Sequence, residues 1–123
     1  MSKKTILITE DDENLRKVLS TKLQKKGNEV LEVSTAQEAL HQLQNEKVDL
    51  IILDIMLPGK MNGFDLLAII RRSQDLLNIP VFVTTNLEGE EETAKMEGAD
   101  EYYVKSNTSL GEIVENVEKR LND

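Results

Sequence analysis

The sequence has no cysteine, no tryptophan and only two prolines among its 123 residues. Without cysteine, the chain can form neither disulfide bonds nor thiolate metal sites. Aromatic residues are also scarce, with two Phe and two Tyr, so the core must be mainly aliphatic. The longest apolar runs fall far short of the roughly 18 residues that a membrane span requires. The length is that of one domain.

Cationic residues are outnumbered, with 15 Lys and Arg against 23 Asp and Glu and a formal charge of −8. A chain this acidic repels phosphate backbones, so we expect no binding of nucleic acid. The apolar stretch at residues 5–8, which follows Met1, Ser2, Lys3 and Lys4, is too short for a signal peptide. We therefore expect one cytoplasmic domain over residues 1–123, with no membrane attachment.

Five short apolar runs alternate with amphipathic segments. The runs are residues 6–8, 30–33, 50–53, 81–83 and 102–104, and the third is apolar throughout, as in a central strand buried on both faces. Four segments carry apolar stripes at helical spacing: Leu15, Val18, Leu19 and Leu23; Ala36, Ala39, Leu40 and Leu43; Phe64, Leu67 and Ile70; and Leu110, Ile113, Val114, Val117 and Leu121. This alternation predicts a parallel α/β sheet with helices on both faces.

Local signals predict where the helices begin and end. Gly27 and Asn28 should end the first helix, because both residue types tolerate positive φ. Ser34 or Thr35 should cap the second helix. The fourth helical segment, residues 88–96, is highly charged and has a poor apolar stripe. We therefore expect that segment to be weakly held and mobile.

Polar residues stand at the carboxyl ends of the predicted strands, where open parallel sheets place their functional groups. They are Glu10 and Asp11 after the first strand, Asp54 after the third, Thr84 and Thr85 at the end of the fourth, and Lys105 after the fifth. If the strand order is 2-1-3-4-5, the first and third strands are neighbours, and Glu10, Asp11 and Asp54 converge. Lys105 and Thr85 then flank these carboxylates from the other side.

Such a cluster suggests phosphoryl chemistry. Three neighbouring carboxylates repel one another, so at neutral pH they require protonation or a cation. Hard oxygen ligands in a hydrated site suit Mg²⁺, and a carboxylate there can attack a phosphoryl group to form an acyl phosphate. Simpler interpretations stay open for single members: Asp12 can cap the next helix, Asp54 can be a solvated loop residue, and Lys105 can be a surface charge.

Taken together, these stretches resemble the response-regulator receiver family. Residues 6–13 are similar to its acidic first loop, and residues 50–59 to its phosphoacceptor strand and loop. Asn62-Gly63 and residues 98–102 match further characteristic positions, so the resemblance covers essentially the whole chain in order. It implies a doubly wound, flavodoxin-like (βα)5 fold of strand order 2-1-3-4-5. It also implies a single receiver domain, with no output domain.

The resemblance assigns an expected role to each matching residue of the acidic pocket. Asp54 is the expected site of phosphorylation. Asp11 and Asp54, together with the backbone carbonyl of Met56, are expected to bind Mg²⁺ directly, and Glu10 is expected to act through water. Lys105 is expected to pair with the phosphoryl group.

Two further residues match the family's switch. Thr85 lies five residues after Pro80, where the family's threonine usually stands, and is expected to hydrogen-bond the phosphoryl group. Tyr102, three residues before the lysine, matches the aromatic residue that swings inward as the threonine moves. Residues two after the aspartate and two after the threonine influence hydrolysis in this family. Here they are Met56 and Leu87, which are apolar and cannot orient water, so we expect slow self-dephosphorylation.

The sequence departs from the family pattern at three positions. Ser106 stands where a proline usually follows the lysine across a cis peptide, which affects the loop that carries Lys105. Lys60 resembles a one-residue insertion in the loop beside Asp54. Asn86 replaces the small residue that usually follows the threonine.

The resemblance implies a signalling switch, and three other classes of function are weighed against it. A histidine kinase or phosphotransfer protein would donate the phosphoryl group. The face of helix four, strand five and helix five would bind a downstream target or a second copy of the chain. The chain would catalyse only its own phosphorylation and dephosphorylation. The alternatives are a phosphorylation-independent interaction module, a Mg²⁺-dependent phosphatase and a flavodoxin-like electron carrier, although a glycine loop for phosphate is missing after the first strand.

Overall fold

The computed structural model describes residues 3–123 and contains a five-stranded parallel sheet between two layers of helices. The elements follow one another as β1 (Thr5–Thr9), α1 (Glu13–Lys25), β2 (Glu29–Val33), α2 (Ala36–Asn45), β3 (Leu50–Leu53), α3 (Gly63–Arg72), β4 (Val81–Thr85), α4 (Glu91–Met96), β5 (Glu101–Val104) and α5 (Leu110–Leu121). The sheet order β2-β1-β3-β4-β5 confirms the predicted fold. Met1 and Ser2, which precede the first predicted strand in the sequence, lie outside the described residues. None of the helices within residues 3–123 combines the length and apolar character needed to cross a membrane.

The sheet divides the core into two apolar clusters. Because side chains alternate along a strand, Ile51 and Leu53 of β3 face α2, α3 and α4, whereas Leu50 and Ile52 face α1 and α5. All four side chains are buried, as the continuous apolar run predicted. β3 is therefore a central strand, and it delivers Asp54 to the carboxyl edge of the sheet.

The local signals for helix limits are confirmed in the structure. Gly27 has a φ of 96° just after α1, and the side chain of Thr35 caps α2 by accepting from the amide of Glu38. Asp12 caps α1 through a 3.2 Å hydrogen bond from the amide of Leu15. The fourth helix is short, spanning Glu91–Met96, and Ala94 is its only buried residue. Its apolar contact is therefore small, as its composition predicted, while its weak attachment and mobility stay predictions.

Two details of the predicted stripes are wrong. Val18 is 46% exposed, whereas the small side chain of Ser20 is buried beside Leu19 and Leu23. In α3, Leu66 is fully buried and Phe64 only partly, so the buried face is rotated from the predicted one. Apolar spacing gives the period of a helix, but the docking angle decides which edge of the stripe faces the core.

Gly98 allows an arginine of α3 to lie against the turn before β5. It has a φ of 110°, and a Cβ there would lie 2.7 Å from side-chain atoms of Arg71. Arg71 donates to the carbonyl of Gly98 at 2.9 Å and to Asp100 Oδ2 at 3.0 Å. Asp100 in turn accepts from the amide of Val81 at 2.8 Å. These contacts fix the start of β5 against β4.

Thr9 is a buried polar residue, and among the described residues its hydroxyl has no hydrogen-bond partner. Replacing Thr9 with Val keeps the shape and removes this unsatisfied group. We expect Thr9→Val to raise the free energy of unfolding by about 1 kcal/mol. Thr9→Ser, which keeps the hydroxyl and loses the methyl group, should lower it by a similar amount. Urea denaturation of the two variants checks the pair, and a Val variant less stable than wild type would contradict the assignment.

Candidate functional site

The carboxyl ends of the central strands open into a cleft of about 500 Å³. Its walls are formed by Glu10, Asp11, Asp12, Leu15, Asp54, Met56, Asn86, Lys105 and Ser106. The structure therefore brings together the predicted pocket residues Glu10, Asp11, Asp54, Met56 and Lys105. They meet because β1, β3 and β5 are parallel and end at the same edge of one sheet.

Asp54 is held at the floor of this cleft and is only 5% exposed. Its amide donates to the carbonyl of Thr9 at 3.0 Å, which extends the pairing of β1 with β3 by one residue. One carboxylate oxygen, Oδ1, accepts from the amide of Met56 at 2.9 Å. The other, Oδ2, accepts from Lys105 Nζ at 2.8 Å. Both oxygens are thus oriented by donors, and the carboxylate is held rigidly.

Glu10 is the second buried carboxylate, 3% exposed, and it shares the same ammonium group. Its Oε2 atom accepts from the amide of Asp12 at 3.0 Å. Its Oε1 atom lies 2.6 Å from Lys105 Nζ, as an ion pair whose geometry is not that of a hydrogen bond. Lys105 therefore bridges Glu10 and Asp54, which joins the ends of β1, β3 and β5.

Burial and charge act on this group of residues in opposite directions. Burial raises the pKa of Glu10, and the neighbouring Lys105 and the amide of Asp12 lower it only in part. Burial would lower the pKa of Lys105, but its contacts with Asp54 and Glu10 raise it above the ordinary value. Lys105 accordingly stays protonated at neutral pH and neutralises part of the negative charge of the cleft.

The oxygen atoms of the cleft fit a hard divalent cation in their chemistry. Asp11 is exposed on the wall of the cleft, and Met56, two residues after Asp54, lines the same cleft. Among the described residues, Glu10 Oε1 is buried and has no partner other than the ammonium of Lys105. Within residues 3–123, however, no three acidic or histidine side chains are grouped closely enough to hold a metal ion, and the Lys105 ammonium lies between two of the carboxylates. The ligand set therefore stays a prediction.

Thr85 and Tyr102 lie behind the cleft, on the side of the sheet that faces α4. Thr85 is fully buried, and its Oγ1 accepts from the amide of Leu87 at 3.3 Å. The hydroxyl of Tyr102 donates to the carbonyl of the same residue, Leu87. The tyrosine ring is already buried in this structure. The two predicted switch residues thus hold opposite sides of one residue in the loop before α4.

The departures from the family pattern leave the cleft in place. Lys105, Ser106 and Asn107 form a single turn of 3₁₀ helix, and every peptide bond in the described residues is trans. Lys105 still reaches Asp54 from this turn. The extra residue, Lys60, lies in an exposed turn at Gly59, which has a φ of 98°. Asn86 is exposed and lines the mouth of the cleft.

Sequence reasoning missed two features that shape the site. Gly63, the first residue of α3, donates its amide to the carbonyl of Ile55 at 2.8 Å, and a Cβ there would overlap Asp54 O and Ile55 Cα. The match of Asn62-Gly63 to the family pattern identified this position, but it did not reveal that a side chain at Gly63 would overlap the aspartate loop. Arg16 donates to the carbonyl of Glu10 at 2.9 Å. The position of Arg16, one helical turn after the acidic loop, was the only feature of the sequence that could have indicated this contact.

A doubly wound sheet with buried carboxylates and a bridging lysine at its carboxyl edge defines a receiver-type α/β protein. The family profile of the response regulator receiver domain matches residues 6–118. The chain belongs to the response-regulator receiver family, a component of two-component signalling systems.

Relatives and solved structures agree with this assignment. The chain is 37% identical over 102 residues to the probable transcriptional regulator ycf27 of Cyanidium caldarium, covering 81% of this chain and 39% of that protein. It is 37% identical over 106 residues to the phosphate regulon regulator PhoB of Pseudomonas aeruginosa, covering 83% and 45%. The chain thus spans less than half the length of these curated relatives.

Two solved structures match over nearly their whole length. A putative response regulator from Chloroflexus aurantiacus has a TM-score of 0.90 at 27% identity, with 99% of this chain and 100% of that chain covered. The Mn²⁺-bound form of the response regulator Rcp1 has a TM-score of 0.80 at 28% identity, with 94% and 92% covered.

Gly63→Ala tests the close approach of α3 to the aspartate loop. The added methyl group would overlap backbone atoms of Asp54 and Ile55, which cannot move aside as a side chain can. We expect the free energy of unfolding to fall by about 1–3 kcal/mol, measured by urea denaturation. The matched control is Gly111→Ala in α5, where the nearest atom outside the local helix backbone is 4.0 Å away. That change should stabilise the protein or leave it unchanged, and equal effects at both glycines would contradict the steric argument.

Proposed function

We propose that this receiver domain accepts a phosphoryl group on Asp54 in a Mg²⁺-dependent reaction and thereby switches its binding to a partner. The observation that carries the proposal is the arrangement of Asp54 itself. A buried carboxylate, oriented by Lys105 and by the amide of Met56, faces an open cleft with Asp11 on its wall. Membership of the receiver family supports the same chemistry.

The transfer requires little covalent chemistry from the protein. A carboxylate oxygen of Asp54 forms a bond to phosphorus while the bond from phosphorus to the donor's imidazole nitrogen breaks, and the imidazole leaves with the electron pair. Lys105 contacts Asp54 Oδ2 at 2.8 Å, which supports a role in pairing with the oxygens of the incoming group. Its firm protonation suits this role, because phosphoryl transfer depends mainly on positioning and charge stabilisation.

Mg²⁺ would be held by the carboxylates of Asp11 and Asp54 and the carbonyl of Met56, with Glu10 acting through water. Bound Mg²⁺ supplies charge neutralisation for the transferred phosphoryl group. These donors are all hard oxygens, which suits this ion. The Mn²⁺-bound form of the similar protein Rcp1 also supports a divalent cation. Because Lys105 pairs with Glu10 and Asp54 here, we expect its ammonium to shift within the cleft when the cation binds.

The switch would run through the main chain of Leu87. If the hydroxyl of Thr85 turns to the phosphoryl group, it gives up its contact with the amide of Leu87. Tyr102 then holds Leu87 from one side only, through its carbonyl. The following helix, α4, has one buried residue and no side-chain cap, so it can adopt a second arrangement at little cost. A change at the cleft would in this way reach the face of α4, β5 and α5.

That face favours particular partners. The part of this face that precedes α5, residues 88–101, contains seven carboxylates and a single lysine, and one of the carboxylates, Asp100, is paired with Arg71 and Arg120. A two-fold pairing of two copies through this face would bring like charges together, so a downstream protein with a basic surface fits it better than a second copy. On the donor side we propose a histidine kinase or a phosphotransfer protein in the cytoplasm. The chain would act on no external substrate and would catalyse only its own phosphorylation and dephosphorylation. The phosphorylation-independent alternative is not favoured, because Asp54, Lys105 and the acidic loop are all in place.

Phosphorylation by acetyl phosphate tests the proposal. We expect wild type to gain the mass of one phosphoryl group when Mg²⁺ is present and to remain unmodified without it. Asp54→Asn should abolish the gain, because an amide oxygen is a poor nucleophile. Asp75→Asn, at an exposed loop position, is the matched control and should behave as wild type. Intact-mass spectrometry reads all three, and modification of the Asp54→Asn protein at the wild-type rate would rule out this phosphoacceptor.

The lifetime of the phosphorylated form is a separate prediction. Met56 is 57% exposed beside the cleft, and neither it nor Leu87 can orient an attacking water. We expect the phosphoryl group to persist for minutes or longer after acetyl phosphate is removed by desalting. Met56→Asn, which introduces an amide, should shorten that lifetime severalfold, whereas Met96→Asn on exposed α4 should leave it unchanged. A wild-type half-life of only seconds would contradict the prediction.

A further inference from the structure

Arg16 of α1 joins the acidic loop to β2. Its Nη1 donates to the backbone carbonyl of Glu10 at 2.9 Å, and its Nε lies 3.3 Å from Glu32 Oε1. The arginine side chain is 15% exposed, so most of it is covered by the surrounding chain. Two donors of one planar guanidinium thus serve two acceptors from different parts of the fold. A lysine, with a single compact head group, cannot reproduce this fork.

Through this contact, every polar group of Glu10 is engaged by a different part of the chain. Its amide donates to the carbonyl of Val33 at 3.0 Å, and its carbonyl accepts from Arg16. One carboxylate oxygen accepts from the amide of Asp12, and the other pairs with Lys105. The Arg16 contact is the only one of these four in which a side chain orients the main chain of Glu10.

The carbonyl of Glu10 belongs to the same planar unit as the amide of Asp11. Because a peptide group is rigid, fixing the direction of this carbonyl also fixes the rotation of the unit that leads into Asp11. Asp11 is exposed and needs such a restraint more than buried Glu10 does. Its carboxylate is one of the expected cation ligands on the wall of the cleft.

We infer that Arg16 is a positioning residue for the cation site of this receiver, acting through the Glu10 carbonyl on the direction of Asp11. The inference rests on the proposed function, since it concerns the cation that the phosphoryl transfer requires. Within the described residues, the polar contacts of Arg16 are with the Glu10 carbonyl and with Glu32, and not with the carboxylates of the expected cation ligands. Its partner Glu32 holds the guanidinium in place and offsets its charge.

A simple charge effect would have the opposite sign, which makes the inference testable. A cationic side chain near the cleft repels a divalent cation, so removing that charge alone should tighten cation binding. Removing the positioning contact should weaken cation binding, because groups that orient metal ligands typically contribute about 10–100-fold to affinity. Arg16→Gln removes both the charge and the contact, whereas Arg16→Lys keeps the charge and loses the fork.

The experiment measures Mn²⁺ binding, by electron paramagnetic resonance of the free ion, for wild type, Arg16→Gln, Arg16→Lys and Lys17→Gln. Lys17 is exposed on the same turn of α1 and provides the control for charge alone. We expect the dissociation constant to rise about tenfold in both Arg16 variants. In Lys17→Gln it should stay equal or fall slightly. Urea denaturation of each variant verifies that the fold is retained.

The rate of phosphorylation by acetyl phosphate separates positioning from chemistry. For the Arg16 variants we expect a higher Mg²⁺ requirement and a nearly unchanged rate at saturating Mg²⁺. Wild-type or tighter Mn²⁺ binding by both Arg16 variants would overturn the inference. If wild type takes up no phosphoryl group while the Arg16 variants still bind Mn²⁺ more weakly, the proposed function fails and the positioning role stands.

Discussion

A single ammonium group keeps two buried carboxylates together at the carboxyl edge of this sheet. Lys105 Nζ lies 2.6 Å from Glu10 and 2.8 Å from Asp54, and these three residues follow β1, β3 and β5. Burying two like charges side by side is costly, and removing the one cation between them would leave both uncompensated. The ion pairs therefore hold the three strand ends in one geometry. They also leave the cleft with excess negative charge, which is the property that a cation-dependent phosphoryl acceptor needs.

Much of this arrangement could be predicted from the sequence, because parallel strands end at a common edge. Glu10, Asp54 and Lys105 follow apolar runs, and the alternation of strands and helices was sufficient to bring them together. What the sequence could not predict depends on docking and on main-chain contacts. Val18 lies on the predicted apolar stripe of α1 but is exposed. The spacing of apolar residues does not determine the angle at which α1 packs against the sheet, so it could not predict this exposure. Arg16 donates to a backbone carbonyl, and because every residue has such a carbonyl, no sequence motif identifies this contact.

The two predicted switch residues show a similar limit. Their positions follow the family pattern, but the pattern does not reveal that Thr85 and Tyr102 both bind the main chain of Leu87. Leu87 lies in the loop before α4, the short helix in which Ala94 is the only buried residue. The departures at Ser106 and Lys60 are accommodated in exposed turns, so they alter neither the hold of Lys105 on Asp54 nor the close approach of Gly63. The group of Glu10, Asp54 and Lys105 accommodates these changes because each of its three members directly follows a strand.

The most direct test of the central claim is to locate the phosphoryl group chemically. Wild type treated with acetyl phosphate and Mg²⁺ would be reduced with borohydride, which converts an aspartyl phosphate to homoserine, and then digested for peptide mass spectrometry. The account predicts homoserine at position 54 and unmodified carboxylates at Glu10 and Asp11. A reduced side chain at Glu10 or Asp11, or no reduced side chain at any residue, would contradict the assignment of Asp54 as the phosphoacceptor.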